Sequence, residues 1–352
     1  MADEVDSDIL FELRGSAGLV TLNRPRALNA LTLPMVRAMH ARLLAWEADP
    51  AVTRIVVRGA GGRAFCAGGD IRRIHDLGRA GRLDEVMAFW GAEYALDAAV
   101  RRLTTPYVAL IEGIVMGGGV GISVHGSHRV AAETYRFAMP ETGIGFFPDV
   151  GMSFTLPRLP GRTGTYLALT GGQIGAGDAL HVGLATHAAG AAEFDGIVEA
   201  LADGGDVDAV LARHASAPAP GVLAEERGTI DACFAAPSVR EILGRLDVAA
   251  SAGSGFAAQT ASLLRSRSPT SLCIAHEQMR RGRDMSFADA LRTEYRLCSR
   301  VMRGHDFYEG VRAVIVEKDG EPAWRPAALD AIDPGAIEAA FAPLDGPEPD
   351  FG

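Results

Sequence analysis

The run PYVALIEGIVMGGGVGIS, residues 106–123, decides how the rest of the chain is read. Pro106–Ile111 has the length and apolar composition of a buried strand. It leads through Gly113 to Met116, Gly117, Gly118, Gly119, Val120, Gly121, Ile122 and Ser123, a glycine-rich helix start. A helix N-terminus exposes N–H groups that lack an intrahelical acceptor, and glycines let another group approach that backbone closely. The same junction occurs once earlier: Ile55, Val56 and Val57 form a predicted strand that enters the loop Gly59–Gly62 and then Phe65, Cys66, Ala67, Gly68, Gly69 and Asp70. Two such junctions can aim two N–H groups at one oxygen, which is the requirement of an oxyanion hole. Either cluster alone reads more simply as a tight turn packing helix against strand, a reading that two in succession weaken.

Outward from these junctions, strands are expected at Ile9–Arg14 and Leu19–Asn23, with Pro34 opening a helix whose apolar positions Met35, Met39, Leu43 and Trp46 follow the helical period. A charged helix is expected around residues 84–102. The texture changes near residue 190, from short β-rich runs with glycine turns to long helical periodicity. This predicts an α/β core over residues 1–194 and a helical region over 195–352. Within the latter, Phe287, Leu291 and Tyr295 recur at helical spacing and read as a core-facing stripe.

The 352 residues are 48% hydrophobic and 22% charged, which excludes disorder and collagen-like repeats. The net charge of −10, with the single lysine Lys318, gives a surface that repels phosphate backbones, so no nucleic-acid partner is expected. No apolar run reaches the roughly 18–20 residues needed to cross a bilayer, so no membrane partner is expected. The acidic start (Asp3, Glu4, Asp6, Asp8) is the opposite of a basic signal or transit peptide, and a cytoplasmic location is expected. Cys66, Cys233, Cys273 and Cys298 are far apart and read as free, mostly buried thiols.

Several chemistries lack their residues. The only lysine follows Glu317, which rules out a Walker A loop, and no G-x-S-x-G elbow is present. Gly253–Ala258 fits a dinucleotide-type glycine pattern but has no preceding strand. His125 and His128 are three apart without further ligands at metal-site spacing, so no metal is expected. The segment Met139–Gly151 is more informative. Glu141 and Asp149, each preceded by a proline, lie among Phe137, Met139, Ile144, Phe146, Phe147 and Val150. Apolar surroundings disfavour the charged form and can tune either carboxyl for acid–base work, although first-turn acids after proline are also common helix starts. Arg303, Gly304, His305, Asp306 and Phe307 form a run with no evident bottom-up role.

The order N-R-P-x-A-L-N-A-L (Asn23–Leu31), F-C-A-G-G-D (Phe65–Asp70), G-x-x-M-G-G-G (Gly113–Gly119) and M-P-E-T (Met139–Thr142) resembles the crotonase, or enoyl-CoA hydratase/isomerase, superfamily. The P-D-V-G run at Pro148–Gly151, the helix holding Tyr94, and Met302–Ala313 resemble its thioester hydrolases in particular. The resemblance covers nearly the whole chain. It implies a crotonase-like α/β spiral of ββα turns with a C-terminal helical region. It also implies an oxyanion hole from the Gly69 and Gly118 amides, a CoA site drawing on Arg26, Ala27, Ala67 and Arg72, and an acyl pocket bounded by Glu93. Hydratases of the superfamily pair two glutamates, and here the position of the first is Gly121, leaving Glu141. The hydrolases pair Glu141 with Asp149. The activity so implied is hydrolysis of 3-hydroxyisobutyryl-CoA, or of a close 3-hydroxyacyl-CoA such as 3-hydroxypropionyl-CoA, in valine breakdown. Glu141 would act as nucleophile or general base, and Asp149 would bind the 3-hydroxyl or assist proton transfer. No cofactor is implied, since CoA arrives as part of the substrate, and a homo-oligomer is left open. Two alternatives remain at this point: an enoyl-CoA isomerase or hydratase, and a non-catalytic CoA-thioester-binding protein.

Overall fold

A computed structural model describes residues 8–352; the acidic residues Asp3, Glu4 and Asp6 lie outside the described residues. The strands are β1 (Ile9–Arg14), β2 (Ala17–Leu22), β3 (Arg54–Gly59), β4 (Ala64–Cys66), β5 (Tyr107–Ile111), β6 (Ile114–Met116), β7 (His128–Ala131), β8 (Arg136–Ala138) and β9 (His187–Ala188). They form a six-stranded sheet in the order β1-β2-β3-β5-β7-β9 and a three-stranded sheet in the order β4-β6-β8. Successive pairs β3/β4, β5/β6 and β7/β8 each give one strand to each sheet, and this alternation is the spiral of ββα turns.

Local sequence explains the pieces. All five residues of β5 are buried, as expected of a parallel strand covered on both faces. Helix α1 (Leu33–Glu47) starts where the Thr32 side chain accepts the Met35 N–H at 3.4 Å, and it buries Met35, Val36, Met39, Leu43 and Trp46. Strand β2 begins two residues earlier than the sequence suggests, because Ala17 pairs with Arg14 across a tight turn. Strands β4 and β6 are three-residue pieces within glycine-rich stretches, too short to show a period. Helices α2 (Ile71–Arg79), α3 (Leu83–Arg102) and α4 (Gly118–Val124) follow the strands, and the chain from Phe194 onward is largely helical.

By packing, the chain divides into two compact units that are discontinuous in sequence. The first comprises the chain up to Gly69, Ala92–Phe137 and Ile174–Gly221. Its core joins Val56, Val108, Leu110 and Val130 of the large sheet to Phe194, Ile197, Leu201 and Val210 of the helices that follow. The second comprises Asp70–Gly91, Ala138–Gln173 and Val222–Gly352. In it Trp90 stacks on Phe146 at 5.2 Å between centroids, Phe146 stacks on Phe147 at 4.3 Å, and Phe307 meets Phe146 edge-on at 5.6 Å. The four cysteines are free, with Cys66, Cys233 and Cys298 buried and Cys273 half-buried.

Candidate active site

In the first unit, both glycine junctions leave the same end of the small sheet, because β4 and β6 run parallel with Cys66 opposite Val115. The Asn23–Leu31 run is pinned beside them. Asn29, buried at φ +57°, accepts the Arg24 N–H at 2.9 Å and donates to the carbonyls of Ala60 at 3.0 Å and Ala64 at 2.8 Å. Asparagine tolerates that left-handed conformation better than most residues. The loop then donates from Leu31 N–H to the Gly68 carbonyl at 2.8 Å and accepts Ala67 N–H at the Leu28 carbonyl, 3.0 Å. Arg26 and Ala27 lie exposed on the turn Pro25–Ala27, so they and half-buried Ala67 are near neighbours along this loop.

Gly69 N–H and Gly118 N–H have no backbone acceptor among the described residues, and Gly118 opens α4, where no intrahelical acceptor exists. A Cβ built on Gly68 would stand 3.7 Å from Gly118 N, so the two junctions are in contact. Glu93, 2% exposed, stands next to Gly118: a Cβ there would run into Glu93 Oε1 and lie 3.1 Å from Leu31 Cδ1. The first unit thus brings together Gly69, Gly118 and Glu93, with Ala67 alongside.

The second unit holds the other carboxylates. Glu141 begins the 3-10 turn Glu141–Ile144, closed by Phe146 N–H on the Glu141 carbonyl at 3.0 Å. The carboxyl is buried and its Oε2 has no hydrogen-bond partner among the described residues, so that oxygen caps no helix. Burial first, and the Asp149 charge second, push its pKa well above the usual carboxylate range. Asp149 is buried as well. Arg72 belongs to this unit, exposed on α2.

The run Arg303–Phe307 braces the Glu141 turn. Asp306 Oδ2 accepts the Ser268 hydroxyl at 2.6 Å and Oδ1 accepts Arg325 N–H at 2.8 Å, while Ser268 N–H donates to the Thr142 carbonyl at 3.2 Å. Gly145, at φ +71°, lies against the Asp306 backbone with no room for a side chain. A cavity of about 630 Å³ lined by His75, Arg79, Arg303, His305, Tyr308 and Glu309, among others, contains none of the candidate residues.

The sequence alone assigned no role to Glu294 or Gln278. Glu294 is fully buried on the helix Phe287–Val301, with a pKa raised to about 8 by burial first and by the Asp149 charge second. The buried face of that helix is Ala290, Leu291, Glu294, Leu297 and Cys298, whereas Phe287 and Tyr295 are only half-buried. A glutamate three residues after Leu291 and three before Leu297, inside an apolar stripe, was the available signal.

The chain matches the sequence profile described as enoyl-CoA hydratase/isomerase over residues 17–341. It is 45% identical to the 3-hydroxyisobutyryl-CoA hydrolase, mitochondrial, of Danio rerio, covering 98% of this chain and 92% of that protein. It is 43% identical to the protein of the same name from Homo sapiens, covering 92% of this chain and 86% of that one. Among solved structures it is similar to a carnitinyl-CoA dehydratase from Mycobacterium thermoresistibile, with a TM-score of 0.93 and 42% identity over 98% of this chain and 99% of that one. It is also similar to an enoyl-CoA hydratase from Rhodobacter sphaeroides 2.4.1, with a TM-score of 0.90 and 39% identity over 96% and 98%. The curated names carry the word mitochondrial, so they give the cytoplasmic expectation no support. Among the described residues no helix is long and apolar enough to cross a membrane.

Proposed function

Because the chain belongs to the enoyl-CoA hydratase/isomerase family, we propose that it is a hydrolase of 3-hydroxyisobutyryl-CoA, or of a close 3-hydroxyacyl-CoA, acting in valine breakdown. The observation that carries this reading is the buried pair Glu141 and Asp149, with Gly121, which has no side chain, at the place where a hydratase of the resemblance would carry its other glutamate. The curated relatives' names support hydrolysis, whereas the similar solved structures are of a protein named a dehydratase and one named a hydratase. The carboxyl positions favour the former.

Thioester hydrolysis develops negative charge on the carbonyl oxygen, and the Gly69 and Gly118 amides are the donors we assign to it. Glu141 then takes one of two routes. As nucleophile it forms a mixed anhydride while the C–S bond breaks, CoA leaves as thiolate and takes a proton, and water hydrolyses the anhydride; as general base it takes the proton of a water whose oxygen bonds to the carbonyl carbon, the C–S bond breaks, and CoA leaves as thiolate and takes up that proton. Both routes use the ionised carboxylate. Since Glu141 is held well above 4.5, turnover rises with pH as it ionises. Asp149 hydrogen-bonds the 3-hydroxyl, Glu93 bounds the acyl pocket, and Arg26, Ala27, Ala67 and Arg72 meet the CoA moiety.

The test is thiol release from 3-hydroxyisobutyryl-CoA, with CoA freed by the wild type and at least a hundredfold less, roughly, by Glu141→Gln. An intact thioester with a moved double bond supports the isomerase, and binding without turnover supports a non-catalytic CoA-thioester-binding protein. Either outcome ends the hydrolase reading. Cell fractionation decides whether the compartment is cytoplasmic or mitochondrial.

A further inference from the structure

Asp149 lies in a turn that its neighbours would not adopt alone. Val150, the next residue, has φ +53°, a left-handed conformation that is costly for a β-branched side chain and persists only where the surroundings over-determine it. Two buried side chains, neither with a part in the proposed chemistry, hydrogen-bond to that turn and the residues just after it. Glu294 accepts Gly151 N–H at Oε2, 2.7 Å, and Ser153 N–H at Oε1, 2.9 Å. Gln278, buried on the helix Pro269–Arg281, donates from Nε2 to the Pro148 carbonyl at 2.9 Å and to Ser153 Oγ at 2.8 Å. Its own Oε1 is buried without a partner among the described residues, a cost that packing alone does not explain.

We propose that Glu294, assisted by Gln278, is a positioning residue for Asp149: it holds the Pro148–Gly151 turn in the one conformation that sets the Asp149 carboxylate against the substrate's 3-hydroxyl. This rests on the hydrolase reading above. Glu294 and Asp149 also sense each other's charge, since Asp149 is the second cause of the rise at Glu294 after burial. Glutamine at 294 is the same size but carries one oxygen and one NH2, so whichever way it turns, one of the two backbone donors faces another donor.

The experiment compares Glu294→Gln with wild type on 3-hydroxyisobutyryl-CoA and on isobutyryl-CoA, which lacks the hydroxyl. The expected result is a loss of kcat/KM at least tenfold larger, roughly, on the hydroxylated substrate, with no further loss of that preference when Glu294→Gln is added to Asp149→Asn. Gln278→Met shifts the preference in the same direction, and it carries the comparison if Glu294→Gln fails to fold. Hydrogen exchange at the Gly151 and Ser153 amides, which needs no substrate, should quicken by about tenfold or more in the variants. Equal losses on both thioesters, an additive double variant, or unchanged exchange at both amides overturns the proposal. A wild type that frees no CoA from either thioester defeats the hydrolase reading instead, and the exchange rates then decide the role of Glu294.

Discussion

Replacing Gly118 by alanine tests the oxyanion assignment through steric geometry alone. The added methyl would collide with Glu93 Oε1 and lie 3.3 Å from the Glu93 carboxyl carbon and 3.1 Å from Leu31 Cδ1. Glu93 is 2% exposed and Leu31 1%, so neither has open space into which to withdraw. Relief requires the first turn of α4 to retreat, or the carboxylate to swing, by on the order of 1 Å, a misplacement that costs about a hundredfold in a preorganised site. Loss of one oxyanion donor costs about a hundredfold to a thousandfold in kcat. The expected outcome is therefore a kcat lower by about two to three orders of magnitude, with KM changed only a few-fold, because Gly118 is not among the residues we assign to CoA. The overpacking itself costs about 1–3 kcal/mol, a fall of a few degrees in Tm that leaves the chain folded. Thiol release at saturating substrate and a thermal melt give both numbers. Gly244→Ala is the control, exposed mid-helix with nothing within 4 Å of its Cβ position, and it should keep full kcat and gain slightly in stability. A folded Gly118→Ala enzyme with kcat within about threefold of wild type would refute the assignment of Gly118 as an oxyanion donor.

Asp149→Asn should reduce the preference for 3-hydroxyacyl-CoA over the plain acyl thioester by about tenfold or more, read as a ratio of kcat/KM values; an unchanged ratio removes Asp149 from hydroxyl recognition. Glu294 is raised in the folded chain from 4.5 to about 8 by burial and then by Asp149. It contributes stability that is fully present below about 4.5 and lost as the pH rises through about 8, so wild-type Tm should fall more steeply than that of Glu294→Gln between about pH 5 and pH 9. Parallel curves would contradict the shift. Asp306→Ala strands the buried Ser268 hydroxyl and the Arg325 N–H and should cost about 2–3 kcal/mol in a denaturant titration, with a loss of kcat through the Glu141 turn; a change below about 0.5 kcal/mol would show that the brace is dispensable.

The glycine junctions and the carboxyls of Met139–Gly151 were legible because each rests on local chemistry: a strand run, a helix start, an acid after proline. Strands β4 and β6 were not, since three residues carry no period and their existence depends on pairing with each other. Nor was the interleaving of the two units, which is set by packing between segments such as Trp90, Phe146 and Phe307, far apart in the chain. The Arg303–Phe307 run acquired a role only when Asp306 met Ser268, 38 residues away in sequence. Glu294 was hidden by the stripe chosen for its helix. Phe287, Leu291 and Tyr295 are spaced four apart, but the face that is buried turns through Leu291, Glu294 and Leu297.

Hydrolysis of the thioester is the central claim, and product analysis in isotopically labelled water tests it most directly. With 3-hydroxyisobutyryl-CoA in H2¹⁸O, mass spectrometry should find free CoA together with 3-hydroxyisobutyrate carrying a label in its carboxyl group, and both should vanish with Glu141→Gln. An unlabelled acyl-CoA recovered intact, or an enoyl-CoA formed by loss of the 3-hydroxyl with no free CoA, would contradict it.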